Sequence, residues 1–177
     1  MGATTTDTIQ PRIYVACLAA YNSGYLHGAW INADQEPWAI WEEVRAMLAA
    51  SPIIDAEEHA IHDYEGFAGV QIGECEGLEE VSNIAQFLRE FGPLGAAVLN
   101  YLDCDLDEAR EALAERYLGC HDCLADYVQE LTEETTRIPQ SLRYYIDWQA
   151  MARDAELSGD LFTICTGMEQ VHVFAGR

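Results

Sequence analysis

Acid is so concentrated in the middle of this chain that any fold must spread like charges over its surface while still closing a core. Residues 55–134 hold 21 Asp or Glu against three bases, Arg89, Arg110 and Arg116, which puts a local charge of −18 into a total of −22. All nine basic residues of the chain are Arg, and Lys is absent. A disordered acidic tail combines such charge with few apolar residues, but here hydrophobic residues make up 50% of the chain, which marks a folded protein. Packing like charges onto a compact body destabilises it, so the simplest reason to keep them is a strongly basic partner. Such surfaces usually bind nucleic acid. The competing explanation is solubility or a halophilic habit. The same negative field repels acidic membranes and nucleic acid, so direct binding to DNA, RNA or a membrane is not expected.

The 177 residues suit one domain of ordinary size or a few small modules, with enough apolar side chain for a core. No apolar run approaches the ~20 residues that span a bilayer, and the polar, Thr-rich start does not resemble a secretory signal, so a cytoplasmic protein is expected. The six Cys then read as reduced thiols rather than a disulfide framework.

The organisation expected is a flexible start (1–10) and three modules at 11–64, 65–119 and 120–177. The β-prone run IYVACL at 13–18, the turn signal at Asn22-Ser23-Gly24 and the run YLHGAWI at 25–31 suggest a hairpin. Pro37 suits a helix first turn, and Trp38, Trp41, Val44, Met47 and Leu48 recur at helical spacing until Ser51-Pro52. Around residues 70–72 either a short strand or a loop fits. From Leu78 an apolar face of Val81, Ile84, Ala85, Leu88 and Phe91 predicts a helix ending at Gly92-Pro93, followed by a second over 94–102. A third is predicted over 105–117, capped by Asp103 or Asp105 and ending at Gly119, and a fourth over 122–135. A longer helix over 142–155 and two strands, 161–165 and 171–174, complete an α+β fold.

Chemistry-bearing motifs are sparse. Asp103, Asp105 and Asp107 imitate the opening of a calcium loop, but Glu108 stands where Gly is required and Ala114 where the bidentate Glu belongs; a capped acidic helix start explains them more simply. Cys120 and Cys123 have the spacing of half a zinc site, with Cys104, Cys165 or His172 as distant candidates to complete it, or of a redox pair outside its usual strand context. His59 and His62, among Glu57, Glu58 and Asp63, can share a helix face, yet lack the order of a zinc protease, and the nearby carboxylates should favour charged imidazoles. Acid pairs such as Glu42-Glu43 and Glu79-Glu80 read as surface charge, because adjacent helical residues do not face each other across a substrate. No cofactor, metal or catalytic residue is expected.

Four stretches taken in order resemble the ArdA-type antirestriction family: IYVACLAAYNSGYLHGAW at 13–30, IHDYEGF at 61–67, LREFGPLG at 88–95, and residues 138–151 with YYIDW at 144–148. The resemblance spans about residues 12–174. It implies a non-catalytic protein, carried by mobile DNA, that mimics B-form DNA and occupies the DNA groove of type I restriction-modification enzymes. It also implies an elongated, curved, three-module body that dimerises end to end. Residues 91–102 resemble the family's antirestriction motif, which is associated with self-association, although Pro93 and the Asp103-Cys104-Asp105 sequence depart from its commoner versions.

Charge density agrees independently. Duplex DNA carries one charge per ~1.7 Å of axis, so 31 carboxylates match roughly 53 Å of duplex. The carboxylates expected to stand in for phosphates are Asp103, Asp105, Asp107, Glu108, Glu111, Glu115, Asp122, Asp126, Glu130, Glu133 and Glu134. Glu57, Glu58, Asp63, Glu74, Glu76, Glu79 and Glu80 extend the path. Dimerisation is expected near Phe91, Leu94, Val98, Leu99 and Tyr101, residues whose periodicity fits an internal helix-packing seam equally well. Two further function classes stay open: an acidic adaptor for another basic DNA-binding protein, and a metal-dependent hydrolase using His59 and His62.

Overall fold

The computed structural model describes residues 10–177; the expected flexible start lies, but for Gln10, outside them. Among the described residues the fold is α+β, with six α-helices and two small antiparallel sheets. The chain divides into two compact units, one ending at Ala96 and the other running Ala97–Arg177.

The first unit is built on a sheet of order β2-β1-β3. Strand β1 (Arg12–Cys17) pairs with β2 (Gly28–Asn32) through the short helix α1 (Leu18–Asn22), so the expected hairpin forms with a helical turn in its connection. Ile13 lies opposite Ile31 and Val15 opposite Ala29, and Ile13, Val15 and Ile31 are buried. Gly28 is required where the strands meet, since a Cβ there would strike the Val15 carbonyl and the Tyr14 ring. Helix α2 (Pro37–Ala49) starts with Pro at N1, as the sequence indicates, and buries Ile40, Val44 and Met47. Burying that one stripe leaves Trp38, Trp41 and Glu42 on the outer face.

The third strand differs from the sequence reading. Residues 59–65, expected to carry a His pair on a helix face, form β3 (His59–Glu65), which pairs with β1. Ala60 and Ile61 are both buried, and the register slips between Tyr14 and Val15 so that His62 has no partner. Sheet pairing outweighs the local helical pattern because Ile61 gains burial against β1. Residues 70–72 form a loop that nevertheless buries Val70 and Ile72.

Helix α3 (Leu78–Tyr101) is two helical stretches broken at Gly92, as the Gly-Pro signal indicates. Gly92 has φ 58° and ψ −147°, a region open essentially to Gly alone, and Pro93 restarts the helix. In the first unit Ser82, fully buried, donates a hydrogen bond to the Gln35 carbonyl (2.6 Å), and Arg89 pairs with Asp34 (2.8 Å). Both bonds fasten α3 to the turn that precedes α2.

In the second unit the sheet order is β4-β6-β5, formed by β4 (Tyr117–His121), β5 (Leu161–Gly167) and β6 (Gln170–Ala175). The helix predicted over 105–117 is α4 (Leu106–Glu111), followed by a π-helical turn (Ala112–Arg116) that delivers the chain into β4. Asp105 is the cap, accepting from the Glu108 amide at 2.9 Å, whereas Asp103 and Cys104 take consecutive left-handed conformations that close the preceding helix. Helix α5 (Leu124–Thr135) follows the predicted span closely. The helix expected over 142–155 begins late: a 3₁₀ turn (Arg143–Tyr145) precedes α6 (Trp148–Ser158), whose start is set by Asp147 accepting from the Ala150 amide. Leu124, Ala125, Val128, Ala152 and Val173 form one core cluster of this unit, with Tyr127, Trp148 and Leu161 packed against it.

Because a Cβ at Gly92 would meet no atom within 4 Å, replacement by Ala tests backbone conformation alone. Gly92→Ala is expected to destabilise the protein by about 1–3 kcal/mol, read as a lowered urea midpoint with unchanged slope.

Candidate protein-docking surface

The acids divide evenly between the units. Residues 10–96 carry 14 carboxylates and three Arg, a charge of −11, and residues 97–177 carry 16 and six, a charge of −10. Neither unit can gather basic residues to neutralise itself, so both must place carboxylates in water.

Helix α5 shows how. Its inner stripe is Leu124, Ala125 and Val128, and the opposite stripe is Asp126, Glu130, Glu133 and Glu134, all exposed. At ~1.5 Å rise per residue these four acids span about 12 Å, roughly one charge per 4 Å, close to the ~3.4 Å per charge of a single DNA strand. Asp126 also favours the helix start electrostatically. Helix α4 repeats the arrangement with Asp107 and Glu111 exposed one turn apart and Glu115 exposed on the π-helical turn that follows. Asp103, Asp105 and Asp122 are exposed in the flanking loops. In the first unit Glu57, Glu58, Asp63, Glu74 and Glu79 are exposed, while Glu76 and Glu80 are half-buried. Glu79 and Glu80 occupy the first turn of α3, where negative charge complements the helix dipole.

Arg placement separates displayed acids from engaged ones. Arg12 pairs with Glu65 and Arg89 with Asp34, neither of them among the expected phosphate stand-ins. Glu108 differs from its neighbours: it is half-buried between Arg116 (3.4 Å) and Arg177. Arg116 lies under α4 with its guanidinium 5.7 Å from the Phe162 ring centroid, and its Nε is buried without a hydrogen bond, 3.7 Å from Glu111. Phe162 is itself stacked between Tyr101 (5.0 Å) and Phe174 (4.9 Å). This clamp, which sequence reasoning missed, holds the acidic face of α4 against the second sheet. Its signal was Arg116, placed directly after the acids at 107–115. Glu133 lies 3.9 Å from Arg143, a weaker and more exposed pair.

The expected dimerisation residues do not share one environment. Val98 and Leu99 are completely buried within the monomer and fill its interior, so neither offers surface to a second copy. Phe91 and Leu94 are half-buried, and Phe91 packs on Phe87 at 4.8 Å. Tyr101 is exposed along one side while stacking on Phe162.

Metal chemistry gains no support from ligand placement: among the described residues no three His, Cys, Asp or Glu converge on one point. His59 sits edge-to-face with Trp41 (5.3 Å) and His62 with Tyr21 (4.8 Å), while Glu74 is 3.9 Å from His62. Burial lowers the pKa of His59, contrary to the expectation that nearby carboxylates would hold it charged. Cys120 lies on β4 opposite His172 of β6, whose ring nitrogens are each 2.9 Å from a hydroxyl, Nδ1 from Tyr117 and Nε2 from Thr166. Burial lowers the His172 pKa as well. Burial, then the Cys120 thiol, raises that of Tyr117.

Both His59 and His172 therefore titrate below the ordinary value of 6.5, so under that pH the unfolded chain binds more protons than the folded one. Stability should fall as pH drops from about 7 toward 5.5, and the drop should shrink in a His59→Gln, His172→Gln double variant followed by thermal unfolding. At the clamp, Arg116→Met should lower stability by about 2 kcal/mol in urea, because it leaves Glu108 half-buried with one partner fewer. Arg116→Lys should restore only part, since an ammonium cannot repeat the forked, ring-stacked geometry.

Among the described residues no helix is long and apolar enough to cross a membrane. The chain matches the family described as Antirestriction protein (ArdA) over residues 13–170. No curated protein matches it. The match covers nearly all of the first sheet, both acidic helices and most of the described chain, and so the protein belongs to the ArdA antirestriction family, whose members are inhibitors that act on restriction-modification enzymes.

Proposed function

We propose that the protein inhibits type I restriction-modification enzymes by presenting exposed carboxylates in place of DNA phosphates and occupying the groove where their methyltransferase core binds duplex. The observation that carries this reading is the acidic stripe of α5, spaced like phosphates along one strand and backed by a buried apolar stripe that fixes the helix. The exposed acids of α4 and of the loops around it add to this charge within the second unit, and the first unit displays exposed acids of its own. Glu108 is left out of the displayed set, because its charge is already met by two guanidinium groups. Such a surface offers no base edges, so recognition is electrostatic, weakened by salt and blind to the sequence the enzyme reads. One inhibitor can then act on enzymes of different specificity.

A homodimer accompanies this reading, with Leu94 and Tyr101 supplying contact surface and Val98 and Leu99 supporting it from within. Sedimentation of Leu94→Asp tests it: a retained dimer with intact fold would remove Leu94 from the interface.

The groove reading is tested by titrating a purified type I methyltransferase and labelled duplex with the protein at two salt concentrations. Any single change among Asp107, Glu115, Asp126, Glu130 and Glu134 to its amide is expected to cost less than about threefold, because an isolated exposed pair contributes roughly 0.5 kcal/mol. All five together should weaken inhibition roughly 50-fold and flatten its salt dependence. A comparable loss from one carboxylate alone would point to a localised site, and simultaneous binding of protein and DNA would end the mimicry.

A further inference from the structure

Carboxylates do not explain the outer face of α2. Trp38 is 63% exposed and Trp41 40%, three residues apart on the same side of the helix, with exposed Glu42 one turn from Trp38. Exposed Trp is costly to leave in water, and Trp and Arg are the side chains that most often anchor protein interfaces. Trp41 is braced by His59, whereas Trp38 makes no ring or cation contact among the described residues. The rest of the helix face is acidic or small except for Arg45, which lies one turn beyond Trp41 and pairs with neither Trp41 nor Glu42 among the described residues. A flat π face beside a carboxylate on a strongly negative body attracts cations. The protein already uses such a contact internally, with the Arg12 guanidinium 4.8 Å from the Trp30 ring centroid.

We infer that the Trp38, Trp41 and Glu42 face of α2 is a docking site for an Arg or Lys side chain of the basic enzyme that the protein inhibits, the cation stacking on Trp38 while Glu42 meets its charge. The inference rests on the proposed function for the identity of the partner. Charge complementarity commits the site to that occupant: a second copy brings net negative charge to a negative face, whereas a DNA-binding groove is lined with the cations this pair accepts. The contact adds something that mimicry of phosphates lacks. Cation–π attraction combined with apolar burial does not depend on released counterions, so it persists when salt has screened the exposed carboxylates. It gives the inhibitor an advantage over DNA that grows with ionic strength.

The experiment compares the full-length wild type, Trp38→Ser and Trp38→Phe, each fluorescently labelled, by direct binding to a purified type I methyltransferase at low and high salt. Competition with duplex DNA is followed in parallel. Since Trp38 is exposed, unchanged circular dichroism and thermal unfolding are expected for both variants. Trp38→Ser should weaken binding about five- to tenfold at both salt concentrations without altering the slope of log affinity against log salt, and Trp38→Phe should recover part of the loss. Equal affinity of Trp38→Ser and wild type would overturn the inference, as would a loss confined to self-association, which would assign the face to a second copy. If the wild type binds the enzyme without displacing DNA, the groove reading fails while the Trp38 comparison still decides this one. Absence of binding by the wild type would remove both.

Discussion

Each exposed carboxylate repels its neighbours, and that repulsion dictates where everything else in the molecule can go. Charge is divided almost equally between the two units, and within each unit it is carried on helix faces and loops where water screens it. The opposing stabilisation has to be apolar, which is why α5, acidic along its outer stripe, still buries Leu124, Ala125 and Val128 in the core. Paired Arg residues are reserved for fastening: Arg89 ties α3 to the turn before α2, and Arg116 ties α4 to the aromatic stack of the second sheet.

The absence of Lys fits that division of labour. A guanidinium can contact a carboxylate and lie over a ring at once, and Arg12 on Trp30 and Arg116 on Phe162 both do so. In a chain with so few cations, these two serve packing as well as charge.

Elements fixed by local chemistry were legible in the sequence. Pro37 announced α2, the Gly92-Pro93 pair announced the break in α3, Asp103 or Asp105 was expected to cap α4 and Asp105 does, and the one-sided pattern at 122–135 announced α5 together with its exposed acids. Elements fixed by distant pairing were not. β3 carries a pattern compatible with a helix and becomes a strand only because β1 lies beside it, and β4, which starts at the last residue of the predicted helix and was not foreseen, forms because β6 pairs with it. The late start of α6 was available in Asp147, a good cap overlooked beside the aromatic run of Tyr144 and Tyr145. For the acids, exposure could be read from helical periodicity, but engagement could not: Glu108 and Glu111 look alike in sequence, yet Glu108 is half-buried between Arg116 and Arg177 whereas Glu111 stays exposed with Arg116 alone beside it. Val98 and Leu99 illustrate the same limit for apolar residues, since periodicity cannot tell an internal seam from an interface.

An inhibitor built wholly of screened carboxylates faces a difficulty that duplex DNA does not. DNA gains from releasing condensed counterions, a gain set by a linear charge density that a protein surface matches only along short stretches such as the outer face of α5. Beyond those stretches the protein must find affinity elsewhere, and side chains have chemistry that phosphates lack. An exposed indole beside a carboxylate holds a cation through dispersion and quadrupole attraction, both of which survive added salt. The outer face of α2 has that composition, so a division between salt-sensitive acids and salt-tolerant aromatics is what the surface chemistry of this chain leads one to expect of the proposed competition with DNA.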